Sequence, residues 1–364
     1  YEFRAAYPQY DDVAVVPVNT PDFSGCLETG FALAVEAIIT TLVPETRYPG
    51  RRPRLVNVLA SSMLTPGDIE VIKDWIAAFG LIPVMLPDIA DSLDGHLVEA
   101  EFSALTLGGV SPADIAAMGE SVATLVIGKS LDKAAALLQA RTGVPNFHFS
   151  GLMGLAACDA FTQTLAQISG QSVPPRVERW RDQLQDAMVD SHFMLGFARL
   201  ALAADPDLLL MQSEFLRGMG AEIVAAVSPI RSETLTALEA LEIPVTIGDL
   251  EDLEHLARQH AAQLLLTNSH GVETARRLDL PLLRVGFPQY DWLGGYARAW
   301  VGYRASRQAL FDLANLLETQ HHDPEPYSSL YWQGTARASE HPGSASIHTP
   351  QSGAAVAAYS YPSV

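Results

Sequence analysis

The chain has 364 residues, and its content of 48% hydrophobic and 18% charged residues is sufficient for two or three ordered domains. Its formal net charge of -19 argues against a nucleic acid or an anionic membrane surface as a partner. The two cysteines, Cys26 and Cys158, have no metal-ligand spacing and no long apolar run is present, so we expect a cytoplasmic protein without a disulfide framework or a membrane span.

In chain order, short apolar runs alternate with longer amphipathic stretches. Capping signals open several of the amphipathic stretches, among them Thr65-Pro66 and Asp249. This alternation predicts an α/β fold with Rossmann-like, doubly wound parallel-sheet domains, in which ligands bind at the carboxyl ends of the strands. Strands are predicted over residues 13–18, 55–60, 82–86, 124–128, 208–211, 222–227, 244–247, 263–267 and 282–285, and helices over residues 28–42, 66–79, 131–141, 213–219, 250–259 and 271–278.

Breaks in composition divide the chain into five parts. Because the sequence opens on Tyr1 and shows one strand before its first long helix, we expect residues 1–50 to be the end of a truncated first Rossmann-like domain. The remaining parts are a second Rossmann-like domain over 51–175, a linking helix over 176–202, a third Rossmann-like domain over 203–320, and a tail over 321–364 that is disordered or draped on a partner.

The polar triplet Asn268-Ser269-His270 follows a predicted strand and opens a predicted helix. Three polar side chains and a helix N-terminus meet there, which suits a small anion or polar group. A capped helix with His270 in its first turn explains the same residues. Cys26 is placed in the first turn of another helix, where the helix dipole would lower a thiol pKa, although structural packing is the commoner role of such a cysteine. The usual glycine-rich nucleotide fingerprints are absent from the sequence.

A series of motifs resembles one known family. It begins with V-P-V-N-T-P-D-F-S-G-C at residues 16–26. It continues in order with L-T-P-G-D at 64–68, S-L-D-G-H at 92–96, D-S-H-F at 190–193, A-A-D-P-D at 203–207, G-D-L-E-D-L-E at 248–254, N-S-H at 268–270 and G-F-P-Q-Y-D at 286–291. On these motifs the chain is similar, over residues 1–317, to the NifN family, the β-type scaffold subunits of the nitrogenase component 1 group.

The resemblance implies a function in assembling the nitrogenase iron–molybdenum cofactor, without catalytic residues in this chain. It implies an α2β2 complex with a NifE-type α subunit, which shares a [4Fe–4S] cluster at the interface and carries an iron–sulfur precursor of the cofactor. The nitrogenase iron protein would supply electrons to that complex. The family places its β-side cysteine ligand upstream of the 16–26 motif, so no residue here matches that ligand, and Cys26 is not assigned to it.

The resemblance also implies that the loop containing Thr20, Asp22 and Phe23 borders the cluster, with Asp22 standing where the catalytic β subunit has a serine. Two other functions stay open. One is a β chain of a nitrogenase component 1-type oxidoreductase, which would show more cluster cysteines in its first domain. The other is a soluble module that binds a small anion at residues 268–270 without a partner chain.

Overall fold

The computed structural model describes residues 2–10, 13–22, 24–93 and 108–319, with Ser92 and Leu93 described by their backbone alone. The predicted tail over 321–364, Phe23 and residues 94–96 of the S-L-D-G-H motif lie outside the described residues. The strands are β1 (Leu55–Ala60), β2 (Ile82–Leu86), β3 (Ala123–Ile127), β4 (Asn146–Phe149), β5 (Arg199–Ala203), β6 (Glu222–Ser228), β7 (Val245–Ile247), β8 (Leu264–Thr267) and β9 (Leu282–Arg284).

Helices fill the stretches between the strands. Asp249 and Thr65 cap two of them with reciprocal capping boxes, as their sequence contexts predict. None of the described helices combines the length and the hydrophobicity that crossing a membrane requires. The helices are α1 (Glu2–Ala6), α2 (Leu27–Leu42), α3 (Pro66–Ala78), α4 (Ala90–Leu93), α5 (Pro112–Ala116), α6 (Asp132–Thr142), α7 (Leu155–Ser169), α8 (Pro175–Leu195), α9 (Pro206–Gly218), α10 (Leu235–Ala240), α11 (Leu250–Gln259), α12 (Val272–Leu278) and α13 (Gly302–Glu318).

The strands form two parallel sheets, so the predicted α/β doubly wound class is confirmed. The first sheet has the order β2-β1-β3-β4 and the second has the order β7-β6-β5-β8-β9. Apolar side chains cover both faces of each sheet: α2, α5 and α6 pack on one face of the first sheet and α11 and α12 on one face of the second. A single large core joins the remaining faces with α3, α7, α8, α9 and α13.

Both sheets start at an inner strand and build outward first to one side and then to the other. In the first sheet the chain leaves β1 for β2 and returns to the opposite side at β3; in the second it leaves β5 for β6 and β7 and returns at β8. The loops after β1 and β3, and those after β5 and β8, therefore diverge and leave a crevice at the carboxyl edge. Such topological switch points are where open α/β sheets bind ligands.

Seven of the nine predicted strands are present within one or two residues of their predicted bounds. The strand predicted at residues 208–211 is wrong, because this apolar run belongs to α9, which is buried on nearly all sides. The linking helix predicted over 176–202 is too long: α8 ends at Leu195, and β5 follows. Strands β4 and β5 have no counterpart among the predicted strands.

The strand predicted at residues 13–18 is also wrong. Its backbone is extended, but it pairs with no described strand, and Val13, Val15 and Val18 are each more than 40% exposed. The sequence pattern identifies a β-branched run, whereas a strand requires a hydrogen-bonding neighbour. The domain boundaries proposed from the sequence stay a prediction.

Candidate functional site

A cavity of about 230 Å³ lies at the switch point of the second sheet. The loops that follow β5, β6, β7, β8 and β9 form most of its wall, and the start of α2 and the loop after β1 complete it. Its surface is mostly apolar with a few polar groups, as is usual for a ligand site. The lining residues are Leu27, Ser62, Met63, Ala203, Ala204, Asp205, Leu208, Val227, Pro229, Gly248, Asp249, Leu250, Thr267, Asn268, His270, Val285, Gly286 and Phe287.

The predicted triplet contributes two of its three residues to this wall. Asn268 accepts a hydrogen bond at Oδ1 from the His270 amide (3.0 Å) and donates through Nδ2 to the Phe287 carbonyl (2.9 Å). The His270 ring packs edge-on against Tyr290 at a centroid distance of 5.6 Å. The Asn268 side chain is thus already engaged in holding the loop, and the triplet opens a 3₁₀ turn, residues Ser269–Gly271, ahead of the seven-residue α12.

Ser269 has a structural position instead. It is buried, accepts a hydrogen bond from the Tyr290 amide at 3.1 Å and donates a short one to Asp291. Arg284 forms an ion pair with that carboxylate at 2.7 Å, and these donors lower the pKa of Asp291 to about 2. Ser269 therefore fixes the loop that carries Phe287 over the cavity.

The ionisable side chains of the cavity wall are mostly acidic. Asp205 and Asp249 both line the cavity, and His270 is the one lining side chain able to carry a positive charge. The carboxylate of Asp249 accepts from the Glu251 amide (2.8 Å) at the start of α11. This wall suits a neutral or cationic group better than an anion, since an anion would face two carboxylates.

Beside the cavity lies a buried acidic cluster, which we define as Glu28, Asp205 and Asp207. Glu28, in the first turn of α2, accepts a hydrogen bond from the Asp207 amide at 2.7 Å. Burial, and then repulsion from Asp207, raise the pKa of Glu28 to about 8. Burial also raises the pKa of Asp205 and of Asp207. The cluster joins the N-terminus of α2 to the N-terminus of α9.

The Asp207 side chain, from the first turn of α9, lies in the switch point of the first sheet. Its Oδ2 accepts from the hydroxyls of Ser61 (2.7 Å) and Ser130 (2.5 Å), which follow β1 and β3. Its Oδ1 accepts from the Ser130 amide at 3.1 Å. Gly128, with a φ of 101°, leaves the space for it, because a Cβ there would lie 2.5 Å from Asp207 Oδ2.

Neither cysteine has the environment of a reactive thiol or a cluster ligand. Cys26 occupies the N-cap position of α2, but burial and the neighbouring carboxylates of Asp205 and Glu28 raise its pKa, against the lowering expected from the helix dipole. Cys158 is fully buried, donates to the Leu152 carbonyl (3.4 Å) and has a strongly raised pKa. Among the described residues, no group of three or more His, Cys, Asp or Glu side chains could hold a metal ion.

The predicted near-cluster loop lies on the surface ahead of α2. Thr20 and Asp22 are exposed, and the Thr20 methyl group lies beside Gly30 of α2, 3.7 Å from where a Cβ would be. Asp22 makes no hydrogen bond or ion pair with the described residues. The loop leads into α2, whose Leu27 lines the cavity together with Asn268 and His270.

Sequence reasoning did not identify the acidic cluster as a site. Its signal is present in A-A-D-P-D at residues 203–207, where two aspartates flank a proline at a helix start. Asp205 is the N-cap residue of α9 yet makes no side-chain cap, because its carboxylate faces Cys26 and the Glu28 amide. Only the packing of α2 against α9 shows this.

Comparison with known proteins identifies the family. The profile of the family described as Nitrogenase component 1 type Oxidoreductase matches residues 1–318. The chain is 44% identical over 328 residues to a Nitrogenase iron-molybdenum cofactor biosynthesis protein NifN from Klebsiella pneumoniae, covering 90% of this chain and 71% of that protein. It is 41% identical over 341 residues to NifN from Bradyrhizobium diazoefficiens, covering 93% and 72%.

The solved structures give the same fold. The structure "Nitrogenase Cp1 at pH 6.5" superimposes with a TM-score of 0.80 and 26% identity, covering 90% of this chain and 75% of that one. A second nitrogenase chain, "Nitrogenase Cp1 at pH 5", matches with a TM-score of 0.55 at 11% identity, which is a likeness of fold alone.

Proposed function

Because the chain belongs to the nitrogenase component 1-type oxidoreductase family, and within it to the NifN proteins, we propose that it is a scaffold subunit for assembly of the iron–molybdenum cofactor. This proposal rests on a difference in sequence identity. The chain is 44% identical to a cofactor biosynthesis protein but 26% identical to a nitrogenase chain of the same fold. The fold by itself does not separate the two functions, since both share it.

The proposal includes an α-type partner subunit of the NifE kind in an α2β2 assembly. Exposed apolar side chains along the N-terminal segment and α2 support it, because interfaces between subunits bury such side chains. These side chains are each at least 38% exposed and comprise Phe3, Tyr7, Tyr10, Val13, Val15, Val18, Leu27 and Leu33. The Thr20–Asp22 loop lies within the same segment, which agrees with a position at the subunit interface.

An iron–sulfur cluster does not fit the residues of this chain alone. A [4Fe–4S] cluster takes four thiolate ligands, whereas the sequence has two cysteines, one of them fully buried with a strongly raised thiol pKa. We therefore propose that the cluster, and the iron–sulfur precursor carried by the complex, are held with ligands from outside this sequence. The nitrogenase iron protein remains the expected electron donor.

Anaerobic reconstitution tests whether the cluster needs ligands from outside this sequence. The purified chain, incubated with iron and sulfide, should retain well under one cluster per chain by iron and sulfide analysis, because it lacks a ligand set. A stoichiometric [4Fe–4S] centre on the chain alone would refute the shared-cluster proposal.

Complementation tests the function itself. A sequence spanning the whole gene of this protein, introduced into a diazotroph that lacks its own NifN, should restore nitrogenase activity and should co-purify with the NifE-type subunit. The alternative, an oxidoreductase β chain, predicts instead that the protein co-purifies with a catalytic nitrogenase α subunit and leaves the NifN deficiency uncorrected.

A further inference from the structure

A second cavity, of about 360 Å³, shares no lining residue with the first. It is bounded by α3, by α8 and by the first turn of α13 together with the segment that precedes it. Its wall includes three arginines, Arg298, Arg304 and Arg307, together with Trp75 and Trp180. In a chain with 23 basic and 42 acidic residues, three guanidinium groups around one cavity are a concentration of positive charge against the overall balance.

Two of the three arginines lack an anionic partner. Asp312 pairs with Arg298 at 2.6 Å, but within the described parts of the chain neither Arg304 nor Arg307 forms an ion pair. Asp74 is the one carboxylate on the cavity wall, and its side chain is exposed at the rim. Within the described residues, the cavity wall therefore carries more positive than negative charge.

Trp180 of the cavity wall contacts Arg304 and also Arg176, which lies outside the wall. The guanidinium carbons of Arg176 and Arg304 lie 5.6 and 5.7 Å from the centroid of the same Trp180 ring, although they come from different helices. The ring stabilises each cation through its π face. Both cations add positive charge near the cavity, which favours an anion there.

Trp75 and the start of α13 complete the wall. Trp75 is 2% exposed, and its indole N–H has no hydrogen-bond acceptor among the described residues. Gly302, Tyr303, Arg304 and Ala305 at the start of α13 also line the cavity, and the Gly302 N–H is already donated to the Leu152 carbonyl at 2.8 Å. Gly302, with a φ of 84°, brings this helix start to within 3.3 Å of the Trp75 ring, measured from where a Cβ would be.

From these contacts we propose that the α3–α8–α13 cavity binds a small oxyanion, that is, a molecule bearing a phosphate or carboxylate group. Planar guanidinium groups bind both groups through paired N–H donors, and a volume of 360 Å³ accommodates a small metabolite rather than a macromolecule. This site is distinct from the cavity at the second sheet, whose wall is acidic.

The test is isothermal titration calorimetry of the full chain at low ionic strength, with inorganic phosphate and citrate as separate probes and chloride at matched ionic strength as the reference. One or both probes should bind with a stoichiometry near one. The double variant R304Q/R307Q should weaken that binding at least tenfold, and R217Q, which removes an exposed arginine of α9 outside the cavity, should leave it within twofold.

A spectroscopic measurement locates the site. The chain has five tryptophans, so the indole N–H resonance of Trp75 can be assigned in an ¹⁵N-labelled sample by its loss in W75F. This resonance should shift on titration with the binding probe in the wild type and in R217Q. It should not shift in R304Q/R307Q, whose thermal unfolding in chloride would verify that the variant is folded.

The two probes separate the sources of the oxyanion: phosphate binding alone assigns a phosphorylated ligand, and citrate binding alone assigns a polycarboxylate. If neither probe binds above the chloride reference, or if R217Q weakens binding as much as R304Q/R307Q, the site proposal is wrong. Should the double variant fail to fold, the single variant R307Q replaces it, with a severalfold loss of affinity expected. These outcomes do not depend on whether the chain serves in cofactor assembly.

Discussion

The two sheets have equivalent switch points that are used in opposite ways. Between β1 and β3 of the first sheet, the Asp207 carboxylate fills the crevice and accepts hydrogen bonds from Ser61 and Ser130. Between β5 and β8 of the second sheet, the loops stand apart around a cavity of about 230 Å³. The residue that closes the first crevice comes from α9, which begins at the edge of the second.

The difference shows that topology fixes where a crevice forms but not whether it is available to a ligand. Closing the first crevice required a buried carboxylate, and burial is unfavourable for its charge, as its raised pKa shows. The second crevice is lined mostly by apolar side chains with a few polar ones, and it encloses open space. Experiments can therefore probe the two edges separately, starting with the closed one.

The closed edge should be intolerant of added atoms. In G128A the new Cβ would lie 2.5 Å from Asp207 Oδ2 and from Ser61 Cβ, at a φ of 101° that disfavours alanine. We expect a loss of about 3 kcal/mol or more in urea unfolding, from strain and overpacking together. The control is G170A, at a φ of 67° with no atom within 4 Å, which should cost about 1 kcal/mol. Equal losses would contradict a filled crevice.

The acidic cluster should make stability depend on pH. Because Glu28 titrates near pH 8 when folded and near 4.5 when unfolded, the folded state binds the extra proton between these values. Stability contributed by this group is present at low pH and is lost as pH rises from about 4.5 to 8, with a slope of up to about 1.4 kcal/mol per pH unit.

The E28Q variant tests that assignment. The amide oxygen can still accept from the Asp207 N–H but carries no titrating proton, so E28Q should be more stable than the wild type at pH 8 and nearly equal to it at pH 5. Urea unfolding across this range measures the difference. The variant E36Q, on the same helix, should show the same pH dependence of stability as the wild type. If E28Q also follows the wild type across this range, Glu28 is not the source of the pH dependence.

The open edge should accept a larger side chain. Ala204 lines the cavity and is partly exposed, so in A204L the added methyl groups have room, and we expect a stability change within about 1 kcal/mol. In the assembled complex the same variant should reduce cofactor assembly if the cavity is occupied during function. A loss of 2 kcal/mol or more in the isolated chain would show that this edge is as tightly packed as the first.

The smallest effect on stability is expected at Asp22. This side chain is exposed and unbonded within the described structure, so D22A should change the free energy of unfolding by less than about 0.5 kcal/mol. In the full complex, D22A should alter the EPR signal or redox potential of the interface cluster. The control D249A loses a helix cap, about 1 kcal/mol, without changing the cluster signal. An unchanged signal in both variants would exclude Asp22 from the cluster's surroundings.

Local chemistry in the sequence determined the alternation of strands and helices, the capped helix starts at Thr65 and Asp249, and the family. These features depend on neighbours a few residues apart. The apolar run at 208–211 shows the limit of such reasoning: a helix buried on all sides has no polar face, so its periodicity cannot distinguish it from a buried strand. The helix signal there was Pro206 at the first helical position, immediately after Asp205.

The state of the two switch points was decided by tertiary structure alone. Asp207 is 146 residues from Ser61 and 179 from Glu28 in sequence, and no local pattern relates them. The arginines gathered around Trp180 likewise come from helices more than 100 residues apart. A carboxylate or guanidinium group acquires its role from the burial and the partners that packing gives it, and both arise only when the sheets and helices assemble.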